Sequence, residues 1–373
     1  MSKRKYLAPA SGLIVAALLL GCSNDSDQSM PQSDTQSASS TVATAAQENA
    51  ASADGGSIAN RGNAAQNAAQ NAAQGTAAVD PSKWWPALPR AAWADYKKIE
   101  TVNPWFEVYL ITDGIYAIYE PGQFEEVISF LIVGAHKSLL FDTGLGMGNI
   151  RSVAKSLTSN PITVLNSHGH YDHIGGNHQF DNIIARNTRF TRTQAKGIPH
   201  EKVGEYAKGD WIWKLHPPNF DPNNYAIKPY GFSRWIEENQ FIDLGGVSLE
   251  VVFAPGHAPD GIVLIDHQRR LMFTGDTFYL APLYAHLEGS SFDDYAATAA
   301  KLAALQDQVD LLLTSHNVPT ADAGFLSKLD QAFQSIIDEK AAYETTGDGR
   351  EYSFQGFSIL TEDPPQADLF TPL

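Results

Sequence analysis

The sequence predicts an α/β protein in which two sheets lie face to face with helices on both outer faces. Two observations lead there. A series of short β-branched and aromatic strands followed by helix occurs twice along the chain. Residues of the types that bind metal also follow directly on predicted strands in both halves. The balance of 43% hydrophobic and 18% charged residues is enough to build a real core for such a fold.

The chain opens with a basic stretch, Lys3-Arg4-Lys5, then an apolar run through Leu13, Ile14, Val15 and Leu18 to Leu20. A basic start and a short apolar stretch read as a secretory signal, too short for a comfortable membrane span. Leu19-Leu20-Gly21-Cys22 resembles the bacterial lipobox, which implies that Cys22 is lipidated and becomes the mature N-terminus. Acyl chains would then hold the protein to a bilayer, each buried CH₂ contributing roughly 0.8 kcal/mol. Ser23 after the cysteine favours the outer membrane, facing the periplasm, in the sorting pattern of such proteins. Cys22 is the single cysteine, so the chain forms no internal disulfide.

Residues 23–82 contain no aromatic residue and include a threefold Asn-Ala-Ala-Gln repeat from Asn63 to Gln74. Such a segment buries too little apolar surface to offset its conformational entropy and reads as a disordered tether. As a flexible coil it would reach roughly 40 Å. The folded part is expected to be a single catalytic domain, residues 83–373, beginning near Lys83-Trp84-Trp85.

Its first half reads as strands at Phe106–Thr112, Gly114–Tyr119, Glu126–Val133 and Ser138–Phe141, a helix at Met147–Leu157, and a strand at Ile162–Leu165. Beyond Asp243-Leu244-Gly245-Gly246 the pattern returns, with strands at Val247–Phe253, Gly261–Ile265 and Leu271–Phe273. A helix at Phe292–Leu305, a strand at Leu311–Thr314 and a long helix from about Asp322 to Tyr343 complete the second half. Between the halves, Ile198 to Glu238 carries Trp211, Trp213, Phe220, Tyr225, Tyr230, Phe232 and Trp235 among five prolines. A long aromatic insert of this kind reads as a lid or binding loop, the plainer alternative being a peripheral satellite core.

The strand Ile162–Leu165 runs straight into Asn166-Ser167-His168-Gly169-His170-Tyr171-Asp172-His173. Four ligand-type side chains within six residues can converge at a sheet edge, and the mixture of imidazole and carboxylate suits zinc. His257 in Pro255-Gly256-His257, Asp276 in Gly275-Asp276 and His316 in Ser315-His316 follow at the ends of three later strands. Their shared placement joins them to the first cluster.

This series, His-x-His-x-Asp-His and then Gly-His, Gly-Asp and a final His, resembles the signature of the metallo-β-lactamase superfamily from about Trp105 to Tyr343. The resemblance implies a four-layer αββα sandwich. It also implies that His168, His170 and His257 hold one metal, that Asp172, His173 and His316 hold another, and that Asp276 bridges them. Asp142, in Phe141-Asp142-Thr143-Gly144, resembles the family's aspartate that supports a ligand without being one. Two zinc ions are the expected cofactor, with manganese or iron less favoured. Such a centre would activate a bridging hydroxide for attack on a carbonyl, with Asp172 close enough to orient it.

For the substrate, an aspartate at the bridging position resembles the glyoxalase II, lactonase and thioesterase branches rather than true β-lactamases, where Cys or Ser generally stands. Tyr279, three residues after Asp276, resembles a substrate-binding tyrosine of lactonases and also occurs in an acyl-CoA hydrolase branch. The expectation is therefore a hydrolase of lactone, ester or thioester bonds. A divergent β-lactamase and a catalytically silent metal-binding scaffold are the alternatives. The net charge of −16 argues against nucleic acid as a partner, since phosphate binding needs clustered Lys and Arg.

Overall fold

The structure is a computed structural model and describes residues 88–347 and 349–362. The expected signal segment, residues 1–22 with Cys22, and the expected tether, residues 23–82, lie outside the described residues. Among those described, no helix is long and apolar enough to cross a membrane.

The first sheet has eight strands in sequential order: β1 (Lys97–Ile99), β2 (Glu107–Thr112), β3 (Ile115–Tyr119), β4 (Ile128–Val133), β5 (Ser138–Phe141), β6 (Ile162–Leu165), β7 (Ile183–Arg186) and β8 (Arg234–Ile236). Strands β1 to β5 pair antiparallel, and β5 to β8 pair parallel. The second sheet contains β9 (Phe241–Asp243), β10 (Ser248–Phe253), β11 (Ile262–Asp266), β12 (Leu271–Gly275), β14 (Leu311–Thr314) and β15 (Thr320–Asp322). A third sheet of four strands combines β13 (Pro282–Tyr284) with β16 (Glu344–Thr346), β17 (Gly349–Ser353) and β18 (Ser358–Thr361).

Alternation along the strands decides which faces meet. Ile128, Phe130 and Ile132 of β4 share one apolar cluster with Leu249, Val251, Leu264, Phe273 and Leu313 of the second sheet. The intervening Leu131 points the other way, joining Ile150, Val153 and Ala154 of helix α1 (Ile150–Leu157). Phe130 and Phe273 meet edge to face across the two sheets at 5.5 Å. On the far side of the second sheet, Val252, Val263 and Met272 pack with Tyr295, Ala299 and Leu302 of a helix at Phe292–Ala303, and with Leu329 and Phe333 of another at Phe325–Ile337. Helix, sheet, sheet and helix therefore stack in the order expected from the sequence.

Three expectations need correction. The helix expected from Asp322 to Tyr343 is shorter at both ends: Asp322 belongs to β15, and the helix spans Phe325–Ile337. It stops because Glu339 adopts a left-handed conformation (φ 55°), which a continuing helix does not allow. The third sheet was not anticipated; its strands are short and largely polar, and Leu283, Phe357 and Ile359 anchor it in the core beside the terminal helix. The aromatic insert is in large part a satellite core rather than a free lid. Its Val203, Ala207, Tyr225 and Ile227 are buried with the outer face of the first sheet, and the Tyr225 hydroxyl donates to the Leu145 carbonyl at 2.8 Å.

Candidate metal centre

Parallel pairing brings the candidate ligands to one edge. Because β5 and β6 run parallel with Phe141 opposite Leu165, Asp142 emerges beside the turn that begins at Asn166. Because β12 and β14 run parallel with Gly275 opposite Thr314, Asp276 emerges beside Ser315-His316. Gly275 sits at φ 52°, where a Cβ would lie 2.5 Å from the Ser167 Cβ, so the close crossing of the two sheets there requires glycine.

The structure brings all seven expected ligands together in two groups. His168, His170 and His257 form one, and Asp172, His173, Asp276 and His316 the other, each with donor atoms mutually within 4.8 Å. In the first, His170 Nδ1 lies 2.9 Å from both His168 Nε2 and His257 Nε2. In the second, His173 Nε2 stands 3.2 Å from an oxygen of Asp172 and 3.3 Å from His316 Nε2. Asp276 lies between them: Oδ1 is 3.0 Å and Oδ2 3.2 Å from His316 Nε2, and Oδ2 is also 3.5 Å from His257 Nε2 and 3.9 Å from His168 Nε2.

The outer partners of the rings fix which nitrogen points inward. His257 Nδ1 donates to the Tyr284 carbonyl at 2.9 Å, and His316 Nδ1 to the Glu125 carbonyl at 2.7 Å. A carbonyl only accepts, so Nδ1 carries the proton and Nε2 presents its lone pair to the centre. His173 Nδ1 is held in the same way by Asp142 Oδ2 at 2.9 Å. Asp142 also accepts from the Ser167 backbone N–H at 2.7 Å and from the Ser167 hydroxyl at 2.8 Å.

Burial drives His168, His170 and His257 towards the neutral, ligating form, with His170 lowered to about 3. In the other group burial opposes charge but is overruled. Asp172, Asp276 and Asp142 hold His173 well above its usual range, and Asp276 raises His316 to about 9. His173 and His316 in turn depress Asp172 and Asp276.

These residues fit metal. Two donors on one tetrahedral ion at about 2.0–2.1 Å sit roughly 3.3 Å apart, close to the separations seen here. Asp276 Oδ1 is also buried without a correctly directed hydrogen bond, a cost that coordination would remove.

Tyr279 is buried with its ring 4.8 Å from that of His316. Its hydroxyl has no hydrogen-bond partner among the described residues. His286 stands apart from both ligand groups, near the Leu360 carbonyl.

Two features were not found from the sequence. Glu125, in the loop between β3 and β4, accepts from the Tyr171 hydroxyl at 2.8 Å. Burial first, and then Asp172, push its carboxyl up to about 7. From Tyr171 a run of rings leads outward: Tyr206 stacks on it at 4.6 Å, Trp211 meets Tyr206 at 4.8 Å, and the exposed Phe124 meets Trp211 at 5.2 Å. The aromatic character of the insert hinted at the ladder. A single Glu in Phe-Glu-Glu-Val carries no comparable signal.

Among curated proteins, the chain is 26% identical to the human "Acyl-coenzyme A thioesterase MBLAC2" over 230 residues, 57% of this chain and 81% of that protein. It is also 26% identical to "Hydroxyacylglutathione hydrolase GloC" of Haemophilus influenzae over 157 residues, 42% of this chain and 68% of that protein. Among solved structures, the sec-alkylsulfatase Pisa1 of Pseudomonas sp. superposes with a TM-score of 0.48 at 17% identity. That match covers 62% of this chain and only 42% of the sulfatase. The family model described as "Metallo-beta-lactamase superfamily" matches residues 124–316, a span that begins at the Glu125 loop and ends on the last ligand-type histidine. With that match, the αββα layers and the seven converging side chains, this chain belongs to the metallo-beta-lactamase superfamily.

Proposed function

We propose that the chain is a zinc-dependent hydrolase of a lactone, ester or thioester bond, with both ligand groups filled. The observation that carries this reading is the position of Asp276, whose two oxygens face two otherwise complete ligand groups. Two of the similar proteins are named as an acyl-coenzyme A thioesterase and a hydroxyacylglutathione hydrolase, which supports an acyl carbonyl as the target.

His168, His170 and His257 would hold one ion and Asp172, His173 and His316 the other, with Asp276 between them. A metal pair bound there supplies Lewis-acid activation of water and of a carbonyl. The chain's own contribution is orientation. Asp142 and the Tyr284 and Glu125 carbonyls keep the ring lone pairs inward. Asp172 is the acceptor placed to orient the attacking water and take its proton. Tyr279, beside His316, would offer its hydroxyl to the oxygen that gains charge. The Tyr171–Tyr206–Trp211–Phe124 ladder would cover the acyl portion of the substrate with apolar surface.

The same proposal places the enzyme on a membrane through a lipidated Cys22. Fractionation without detergent tests that half, a wholly soluble wild-type chain being the contrary result. The chemistry is tested with zinc-loaded chain on acyl-homoserine lactones, p-nitrophenyl esters, thioesters and a chromogenic cephalosporin. Turnover of one of the first three classes well above the cephalosporin is expected. Faster cephalosporin cleavage would favour a divergent β-lactamase.

A further inference from the structure

The three histidines of the first group come from two separate turns, and a single buried carboxylate spans the gap between them. Asp260 is almost wholly buried. Its Oδ1 accepts from the backbone N–H of Gly169 at 3.3 Å, midway between His168 and His170, and its Oδ2 accepts from the Thr191 hydroxyl at 2.9 Å. Asp260 lies three residues after His257 in a turn closed by its own backbone: Ala254 N donates to the Gly261 carbonyl at 2.7 Å, and Gly261 N to the Ala258 carbonyl at 3.2 Å. The carboxylate is therefore fixed relative to His257. Ile262 N, donating to the Ser167 carbonyl at 2.7 Å, makes a second link between the same segments on the other side of His168.

The turn at Gly169 is also held sterically. A Cβ there would come within 3.0 Å of Asp260 Oδ2, 3.1 Å of Phe190 Cε1 and 3.2 Å of Gln194 Cγ. The Phe190 ring lies edge-on to His170 at 5.8 Å. Asp142 plays a comparable part for His173, but Asp260 touches no ligand ring and acts through the backbone.

We propose that Asp260 is a positioning residue that ties the His168–His170 turn to the His257 turn, and that its loss weakens the three-histidine half of the centre while sparing the other half. The proposal rests on the metal-centre reading above, and its test is metal content rather than turnover.

Purified full-length chain is loaded with zinc, dialysed against graded chelator, and assayed for zinc per chain. Wild type should retain two ions. Asp260→Ala should release one of them at about 10- to 100-fold lower chelator strength, the range for partners that orient ligands from outside. Asp260→Asn should keep both, because its amide oxygen still accepts from Gly169 N–H. In a chain that also carries His316→Ala, which cripples the other half, Asp260→Ala should leave no tightly held zinc. Should Asp260→Ala fail to fold, Thr191→Val releases the same carboxylate on its other side and should weaken the same ion. Two ions held as tightly as in wild type by Asp260→Ala, or by Thr191→Val where Asp260→Ala does not fold, would overturn the proposal, as would simultaneous loss of both ions from that single variant. A wild-type chain binding fewer than one ion would overturn the metal reading itself, a separable result.

Discussion

The Nδ1 of His173 lies 2.9 Å from Oδ2 of Asp142, and both side chains are fully buried. The carboxylate faces three donors with two oxygens: Ser167 N–H, the Ser167 hydroxyl and the imidazole N–H. Asn offers one acceptor oxygen where two are used, and its amide N–H groups would face other donors. Asp142→Asn should therefore loosen His173 and lower zinc affinity about 10- to 100-fold. A chelator titration checks this, and an unchanged affinity would show that Asp142 serves only the fold.

Metal content also separates the proposed bridge, Asp276, from a bystander. Asp276→Ala removes the side chain that faces both ligand groups, so bound zinc should fall well below two per chain and most activity should go with it. His286→Ala removes a ring that contacts Tyr284 and the Leu360 carbonyl but neither group, and should leave zinc content close to wild type. Elemental analysis of the two variants side by side gives the answer; equal losses would mean that the ligand assignment is wrong.

Much of this centre was legible because its signal is dense. His168, His170, Asp172 and His173 fall within six residues after an apolar strand, and strand propensity alone placed β5, β6 and β14 at the boundaries observed. What was illegible is held by tertiary contact. Asp260 sits in Pro-Asp-Gly, which reads as an ordinary turn, and its partner Gly169 lies 91 positions away in sequence. The strands β16 to β18 have three to five residues each, with polar side chains alternating irregularly, so no periodicity marks them. Strand β7 was also missed; pairing with β6 on one side and β8 on the other stabilises it.

Tyr279 tests the substrate class. Its ring leans on His316 while its hydroxyl is unpaired among the described residues, so it is available to a substrate oxygen. One donor to a developing oxyanion typically accounts for about 10²–10³ in kcat. Tyr279→Phe should lower kcat on lactones or esters by up to that factor with zinc content intact. An unchanged rate would return the residue to packing, for which its place in the core beside Phe278 and Leu280 already provides.

The aromatic ladder should appear in KM. Trp211 bridges Tyr206 and Phe124, so truncating it breaks the run in the middle. Each such contact is worth about 0.5–1.5 kcal/mol, roughly 2- to 12-fold in binding. Trp211→Ala should raise KM by about that factor for long-chain or aromatic acyl substrates and little for acetyl esters. Trp213 is a weaker case: its backbone N–H donates to the Gly122 carbonyl but its ring is not part of the stack. A KM change independent of acyl length in Trp211→Ala would rule out the ladder as an acyl site.

The last prediction concerns pH and comes from Glu120, which supports the loop leading away from Asp142. Its carboxyl is 1% exposed and accepts from Trp105 Nε1 at 2.5 Å and from the Leu145 backbone N–H at 2.9 Å. Gly144 crosses it with φ 64°, and a Cβ there would overlap Glu120 Oε1. Burial raises the carboxyl to about 7, with the Trp105 and Leu145 hydrogen bonds pulling back. The folded chain therefore holds this proton more tightly than the unfolded chain, whose glutamates titrate near 4.5. Between those values the folded state carries more protons, so stability from this group is full at pH 4 and declines as pH rises towards 7. A difference of that size corresponds to about 3 kcal/mol. Glu120→Gln cannot take on the charge and escapes the decline, although it gives up one accepting oxygen. Relative to wild type, the variant should lose stability at pH 5 and recover much of the deficit by pH 8. Urea unfolding at both pH values measures the difference directly, with titrations elsewhere cancelling between the two chains. A deficit that stays constant from pH 5 to 8 would mean that Glu120 is already ionised in the fold, stabilised by its two donors against the cost of burial.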